Sequence, residues 1–229
     1  MTPPITALGS RYGIQGALGR SVKRAAAGGG WWDLNGTITS CVAAYQPKGA
    51  ASYADSLINL ASPGTNNAVE GVAPQWDSTN GWKGTGSSYL YVPVTPLSSW
   101  TIAITFTNRG VRDEYYYAAG NISLLHTNVP NLRAYWGNTS GLSYFGGSST
   151  NGTLIHTVIS GKRYCRLNDV PPSIDGDLTK YWNGTGNLFI LSKDSTSSFA
   201  QIYIQAFSVY NTSFTTEQVS ALTTAMNAL

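Results

Sequence analysis

The chain has 229 residues, 42% of them hydrophobic and only 11% charged, where an ordinary soluble domain carries about 25% charged residues. Its 14 Lys and Arg against 11 Asp and Glu leave a net charge of +3, too small to argue for a nucleic-acid partner. No window approaches the roughly 18 consecutive apolar residues of a membrane span, so no membrane partner is expected either.

Residues 1–30 read as a basic, flexible arm. They hold Arg11, Arg20, Lys23 and Arg24 and no acidic residue, and Gly9, Gly13, Gly16, Gly19 and Gly28–Gly30 break any helix. A disordered tail and a segment that orders on docking to a partner both fit this composition. The stretch lacks the roughly 7–15-residue apolar run of a secretory signal, so folding in a cytoplasm is expected.

The pattern changes at Trp31, and residues 31–229 are expected to form one domain, a size common for all-β sandwiches. Thr39–Tyr45 reads as a first strand. Residues 46–68, rich in Pro, Gly, Ser and Asn, read as loop with a short apolar piece at Leu57–Leu60. Tyr89–Val94 reads as a strand whose Pro93 suits an edge or a strand end. Trp100–Phe106 alternates cleanly: Trp100, Ile102, Ile104 and Phe106 share one face, and Thr101, Ala103 and Thr105 the other. That is the period of a strand buried on one side. Further short strands are expected at Tyr115–Ala118, Ile122–His126, Leu132–Trp136, Ser143–Phe145, Thr153–Ser160, Tyr164–Leu167, Asn187–Ser192 and Gln201–Tyr210. The Asn-Gly pairs at 151–152 and 183–184 punctuate them as antiparallel turns, and Ser160–Arg163 reads as the turn of a hairpin.

One helix closes the chain. Thr215 with Gln218 three residues on forms a capping box. Phe214 and Val219 make a hydrophobic staple, and Val219, Leu222, Ala225, Met226 and Leu229 share a face. A single helix after many short strands acts as a buttress on a sandwich. Cys41 and Cys165 stand far apart in sequence; reduced, partly buried thiols are the simpler reading, and a bridge stays open.

Several pieces, in order, resemble the laminin-G-like, concanavalin A-like jelly-roll family: Val42–Pro47, the small-residue turn and strand Gly84–Val92, the central strand Trp100–Phe106, the hairpin His156–Asp169, and the closing run from Phe189 through Ile204–Tyr210 into the helix. The resemblance covers about residues 39–229 and implies an all-β, two-sheet antiparallel jelly-roll sandwich with a C-terminal helix and an extended N-terminal arm. Gly28–Leu34 and Ala43–Ser52 are also similar to versions of this domain in bacteriophage structural proteins. That narrower likeness implies a non-enzymatic virion or decoration protein, assembled in the host cytoplasm and anchored to other virion proteins, of capsid or tail, through residues 1–30. Homo-oligomers are compatible with it. The alternative is a carbohydrate-binding adhesion module recognising host glycans.

Glycoside hydrolases of this fold place two carboxylates about 5–10 Å apart, and laminarinase-like relatives carry them as E-x-D-x-E. No such run exists here, so no catalytic residue is expected. Asp113 and Glu114 read as a solvated turn. Asp175 and Asp177 have loop character, with Asp169 and Asp194 as distant helpers, but calcium needs about six to eight oxygens, and no metal or cofactor is expected. His126 and His156 read as packed, hydrogen-bonded residues, the second where the family commonly has a structural histidine. Tyr135, Trp136, Tyr144, Phe145, Tyr181 and Trp182 lie near Asn, Ser or Gly and are the candidates for stacking on a sugar; core or edge packing competes for each. Trp100, continuing an inward face, reads as core.

Overall fold

A computed structural model describes residues 29–34, 36, 38–94, 99–107, 114–119, 122–126, 131–136, 142–146, 151–159, 162–168, 173–177 and 186–229. For 122–126, 131–136, 142–146, 158–159, 162–163 and 173–177 it describes the backbone alone. The arm residues Arg11, Arg20, Lys23 and Arg24, and also Asp113, Asp169, Tyr181 and Trp182, lie outside the described residues.

The described residues form strands β1 (Cys41–Tyr45), β2 (Val69–Val72), β3 (Gln75–Asp77), β4 (Gly81–Lys83), β5 (Tyr89–Val92), β6 (Thr101–Thr107), β7 (Glu114–Ala119), β8 (Ile122–His126), β9 (Asn131–Trp136), β10 (Leu142–Gly146), β11 (Gly152–Ile159), β12 (Lys162–Leu167), β13 (Ser173–Asp177), β14 (Leu188–Ile190) and β15 (Tyr203–Tyr210). Two helices, α1 (Tyr53–Ser56) and α2 (Thr216–Asn227), complete them. The strands make two antiparallel sheets. Sheet A runs β13-β12-β11-β6-β15-β4-β3, with β1 beside β4 along the same edge of β15. Sheet B runs β10-β9-β8-β7-β14-β5-β2. Two stacked antiparallel sheets with a C-terminal helix are a jelly-roll sandwich of the concanavalin A-like kind.

Alternation in β6 fixes the inner face. Ile102, Ile104 and Phe106 enter the core between the sheets beside Leu90, Val92, Tyr117, Leu188, Ile190 and Phe207. The other face of β6 differs from expectation, because it is buried too. Ala103 packs with Ile155, Tyr164, Ala206 and Tyr210 under Phe214, Val219, Leu222 and Met226, so α2 roofs the outer face of sheet A with a second core. The threonines survive burial by pairing hydroxyls across the β6–β11 register: Thr101 with Thr157 at 2.6 Å and Thr105 with Thr153 at 2.8 Å. Paired this way they avoid the penalty of an orphaned buried polar group.

The α2 cap is as expected. Thr215 Oγ1 accepts from Gln218 N, and Thr215 N donates to Gln218 Oε1 at 2.9 Å. Trp31 and Leu34 pack against this same helical layer, where Ile38 is buried, and Tyr210 donates its hydroxyl to Trp32 O at 2.9 Å. The chain therefore enters the fold on the helix-covered side.

Strands β2, β3, β4 and β13 are not anticipated by the sequence reading. Three of them are three or four residues long, below the length at which alternation registers. β4 carries Trp82, fully buried, whose Nε1 donates to Ser56 Oγ at 2.8 Å. Asp175 and Asp177 belong to β13 and not to a loop; the register sets Asp175 opposite Arg163 and Asp177 opposite Lys162. Opposite charges across an antiparallel pair favour the strand over a turn.

Candidate functional site

Sheet B has two unlike faces. In β5 and β14, Leu90, Val92, Leu188 and Ile190 point into the core. The intervening Tyr89, Tyr91 and Phe189 therefore stand on the outer face, and each is half-buried. Their rings form a row. Tyr91 and Phe189 lie 6.4 Å apart, Phe189 and Tyr89 5.9 Å, and Tyr89 and Phe199 6.2 Å, with interplanar angles of 51°, 50° and 34°. Val69 and Val72 of the edge strand β2 flank the row at 37% and 47% exposure, and the register sets them opposite Tyr91 and Tyr89.

Backbone shape holds the row in place. The Tyr89 ring lies over Gly71, where a Cβ would come within 1.9 Å of a ring carbon. Phe199 is carried by the loop that follows β14. In it Leu191 has φ 68° and Ser198 φ 57°, a left-handed conformation uncommon outside glycine. The buried Leu191 is pinned there, with its N donating to Tyr116 O at 2.9 Å and its O accepting from Ala200 N at 2.7 Å. Asp194 accepts from Thr196 N at 2.8 Å and from the hydroxyls of Thr196 and Ser197, bonds that hold its carboxyl below the usual range. Lys193 sits over the Tyr115 ring, 5.9 Å from its centre.

The candidates expected from sequence do not share one platform. Tyr135 and Trp136 are neighbours in β9, so their positions alternate between the two faces of the sheet. The register sets Trp136 opposite Ile122, and Ile122 opposite Ala119 of the inner row; it sets Tyr135 opposite Ser123 and Leu142. Tyr144 pairs with Arg133, two residues from Tyr135, so the positions of Tyr135 and Tyr144 fall on the same side. Phe145 pairs with Leu132 on the opposite side. Trp100 is buried in the core.

Glu114 and His156 are engaged inside the fold. Glu114 is not in a solvated turn. It opens β7 at 4% exposure, and its Oε2 accepts from Gln201 N at 3.2 Å, since the strand begins one residue earlier than alternation of the tyrosines suggests. His156 is buried between the sheets, its Nδ1 2.6 Å from the Tyr117 hydroxyl and its ring edge-on to Trp100 at 4.7 Å. Among the described residues no group of three or more His, Cys, Asp and Glu could hold a metal ion. Cys41 and Cys165 are free thiols. Burial pushes Cys41 up to about 12 and raises Cys165 well above its usual value. No helix among the described residues is long and apolar enough to cross a membrane.

The two packed sheets and the helical roof define a β-sandwich of the concanavalin A-like jelly-roll class. No protein-family model matches the chain, and no curated protein does. Among solved structures it is similar to Trypanosoma rangeli sialidase in complex with sialic acid, with a TM-score of 0.64 and 13% identity over 82% of this chain and 33% of that one. It is also similar to the receptor binding domain of botulinum neurotoxin C/D mosaic serotype, with a TM-score of 0.59 and 13% identity over 81% of this chain and 51% of that one. The botulinum neurotoxin serotype D binding domain matches with a TM-score of 0.59 and 10% identity over 82% and 51% of the two chains. The chain spans about a third of the sialidase and about half of the toxin domains. At such identities the likeness is one of fold, and the narrower likeness to bacteriophage structural proteins finds no support in it.

Proposed function

We propose that the chain is a non-enzymatic recognition domain that binds glycans of a host surface. The observation that carries this reading is the two-sidedness of the sandwich. Trp31, Leu34 and Ile38 pack on the helix side, while half-buried rings look outward from sheet B. A domain tethered at one broad face is free to present the other. The fold is shared with about a third of a sialidase solved with sialic acid and with about half of a toxin's receptor-binding domain, which favours recognition. The carboxylate of Glu114 and the imidazole of His156 are engaged inside the fold, which favours binding over turnover. A glycan array probed with the intact chain tests the reading. Binding to some glycans with no release of reducing ends is expected. Silence across bacterial polysaccharides, or hydrolysis lost on removing one named acid, contradicts it.

A place on a bacteriophage particle, with residues 1–30 as the attachment to other virion proteins, is a second proposal. It rests on the sequence likeness and on the entry of the chain at the helix side. Removing residues 1–30 is expected to abolish incorporation into particles while the sandwich still folds. Normal incorporation of the truncated chain contradicts it.

A further inference from the structure

We propose that the row Tyr91–Phe189–Tyr89–Phe199 is a stacking site for pyranose chains whose hydroxyls are equatorial. The inference rests on the glycan reading above and gives it an address.

An outer sheet face that meets water ordinarily alternates to polar residues. Here the outward positions of β5 and the middle of β14 are all aromatic, and the strand beyond adds Val69 and Val72. The row crosses β5, β14 and the segment leading to β15, so no single stretch of sequence produces it. It is also fixed in advance: Tyr89 rests on Gly71, and the loop carrying Phe199 is held by Leu191 and Asp194. Rings that need no reordering lose little entropy on binding.

Size decides the occupant. Each ring shows at most about a third of its surface, so the four offer at most about 300 Å². A stable protein interface needs about 800 Å² from each partner. By area alone the row suits a small ligand better than a second copy or another protein. Single-stranded nucleic acid also stacks on aromatics but needs a positively charged groove, and the described charges on the flanking loop and strand are mixed: Glu70, Lys193 and Asp194. The Tyr89 and Tyr91 hydroxyls have no hydrogen-bond partner among the described residues, so each ring carries a free polar handle beside an apolar face. A pyranose with equatorial hydroxyls matches both, since its faces are C–H and its rim is hydroxyl. An axial hydroxyl would stand between the sugar and the ring on one of the two faces of the pyranose. The tilts of 34–51° deny a flat table, so a twisted, soluble chain is favoured over a crystalline surface.

The intact chain is titrated calorimetrically with chito- and cello-oligosaccharides, and with manno-oligosaccharides as the axial comparison. Binding of an equatorial probe, at least tenfold weaker in Tyr91→Ala and Phe199→Ala and unchanged in Tyr203→Ala, is expected. Tyr203 is an aromatic of sheet A placed away from the row. Nitration of tyrosines in the wild-type chain needs no variant, and Tyr89 and Tyr91 should be protected by the bound sugar. A glycan bound with equal affinity by both row variants, or without protecting those tyrosines, overturns the site and leaves the glycan reading standing. Preference for the manno-oligosaccharide overturns the ligand class. No binding to any probe here, with binding on the array, overturns the proposal alone; silence in both overturns the two together.

Discussion

Asn59 shows how much one polar side chain does inside this sandwich. Its Oδ1 accepts from Ala44 N at 2.9 Å and Ala61 N at 3.0 Å, and its Nδ2 donates to Val42 O at 2.9 Å and Thr65 O at 2.8 Å. It stitches β1 to the following loop while fully buried. Asn59→Leu keeps the branching but adds bulk and orphans several backbone groups, and a loss of about 3 kcal/mol or more is expected in urea denaturation. The thiols give a pH prediction. Cys41 is held protonated to about 12 in the fold, against 9.0 when exposed. The unfolded chain loses that proton first, so stability falls as pH rises from 9 toward 12. Tyr117, Tyr210 and Cys165, all raised by burial, push the same way. Denaturation midpoints measured across that window should decline, and Cys165 should resist alkylation until the chain unfolds.

At the scale of elements, the cap of α2 and the glycine at the start of β4 are the sharpest points. Thr215→Ala removes the capping box and should cost about 1 kcal/mol. Gly81 has φ 90°, and a Cβ there would meet Ile204 O at 2.2 Å. Gly81→Ala should therefore cost more than about 1 kcal/mol, because strain and a backbone clash add. Both are read from thermal melting. The strand β6 and the helix α2 are legible in sequence because their periods run for seven and twelve residues. The strands β2, β3 and β4 are too short to show one. The aromatic row is illegible for another reason. In Tyr89–Val92 both alternate sets are apolar, so periodicity identifies a strand without saying which set faces inward. Only pairing with Phe189, a hundred residues on, settles it. Tyr135 and Trp136 illustrate the converse: adjacency in sequence suggests a cluster, but a strand separates neighbours onto opposite faces.

At the scale of the whole molecule, two cores lie on either side of sheet A, one shared with sheet B and one with α2. The segment through Ile38 belongs to the second. Ile38→Ala should cost about 2–4 kcal/mol, although the residue lies outside both the strands and the helices. The sandwich is thus braced on the side where the chain enters and presents rings on the other. Hydrogen–deuterium exchange of the intact chain with and without a bound glycan tests this sidedness most directly. Slowed exchange in β5, β14 and residues 191–199, with α2 unchanged, is the expected result. Slowing confined to α2 and the helix-covered face of sheet A would contradict it.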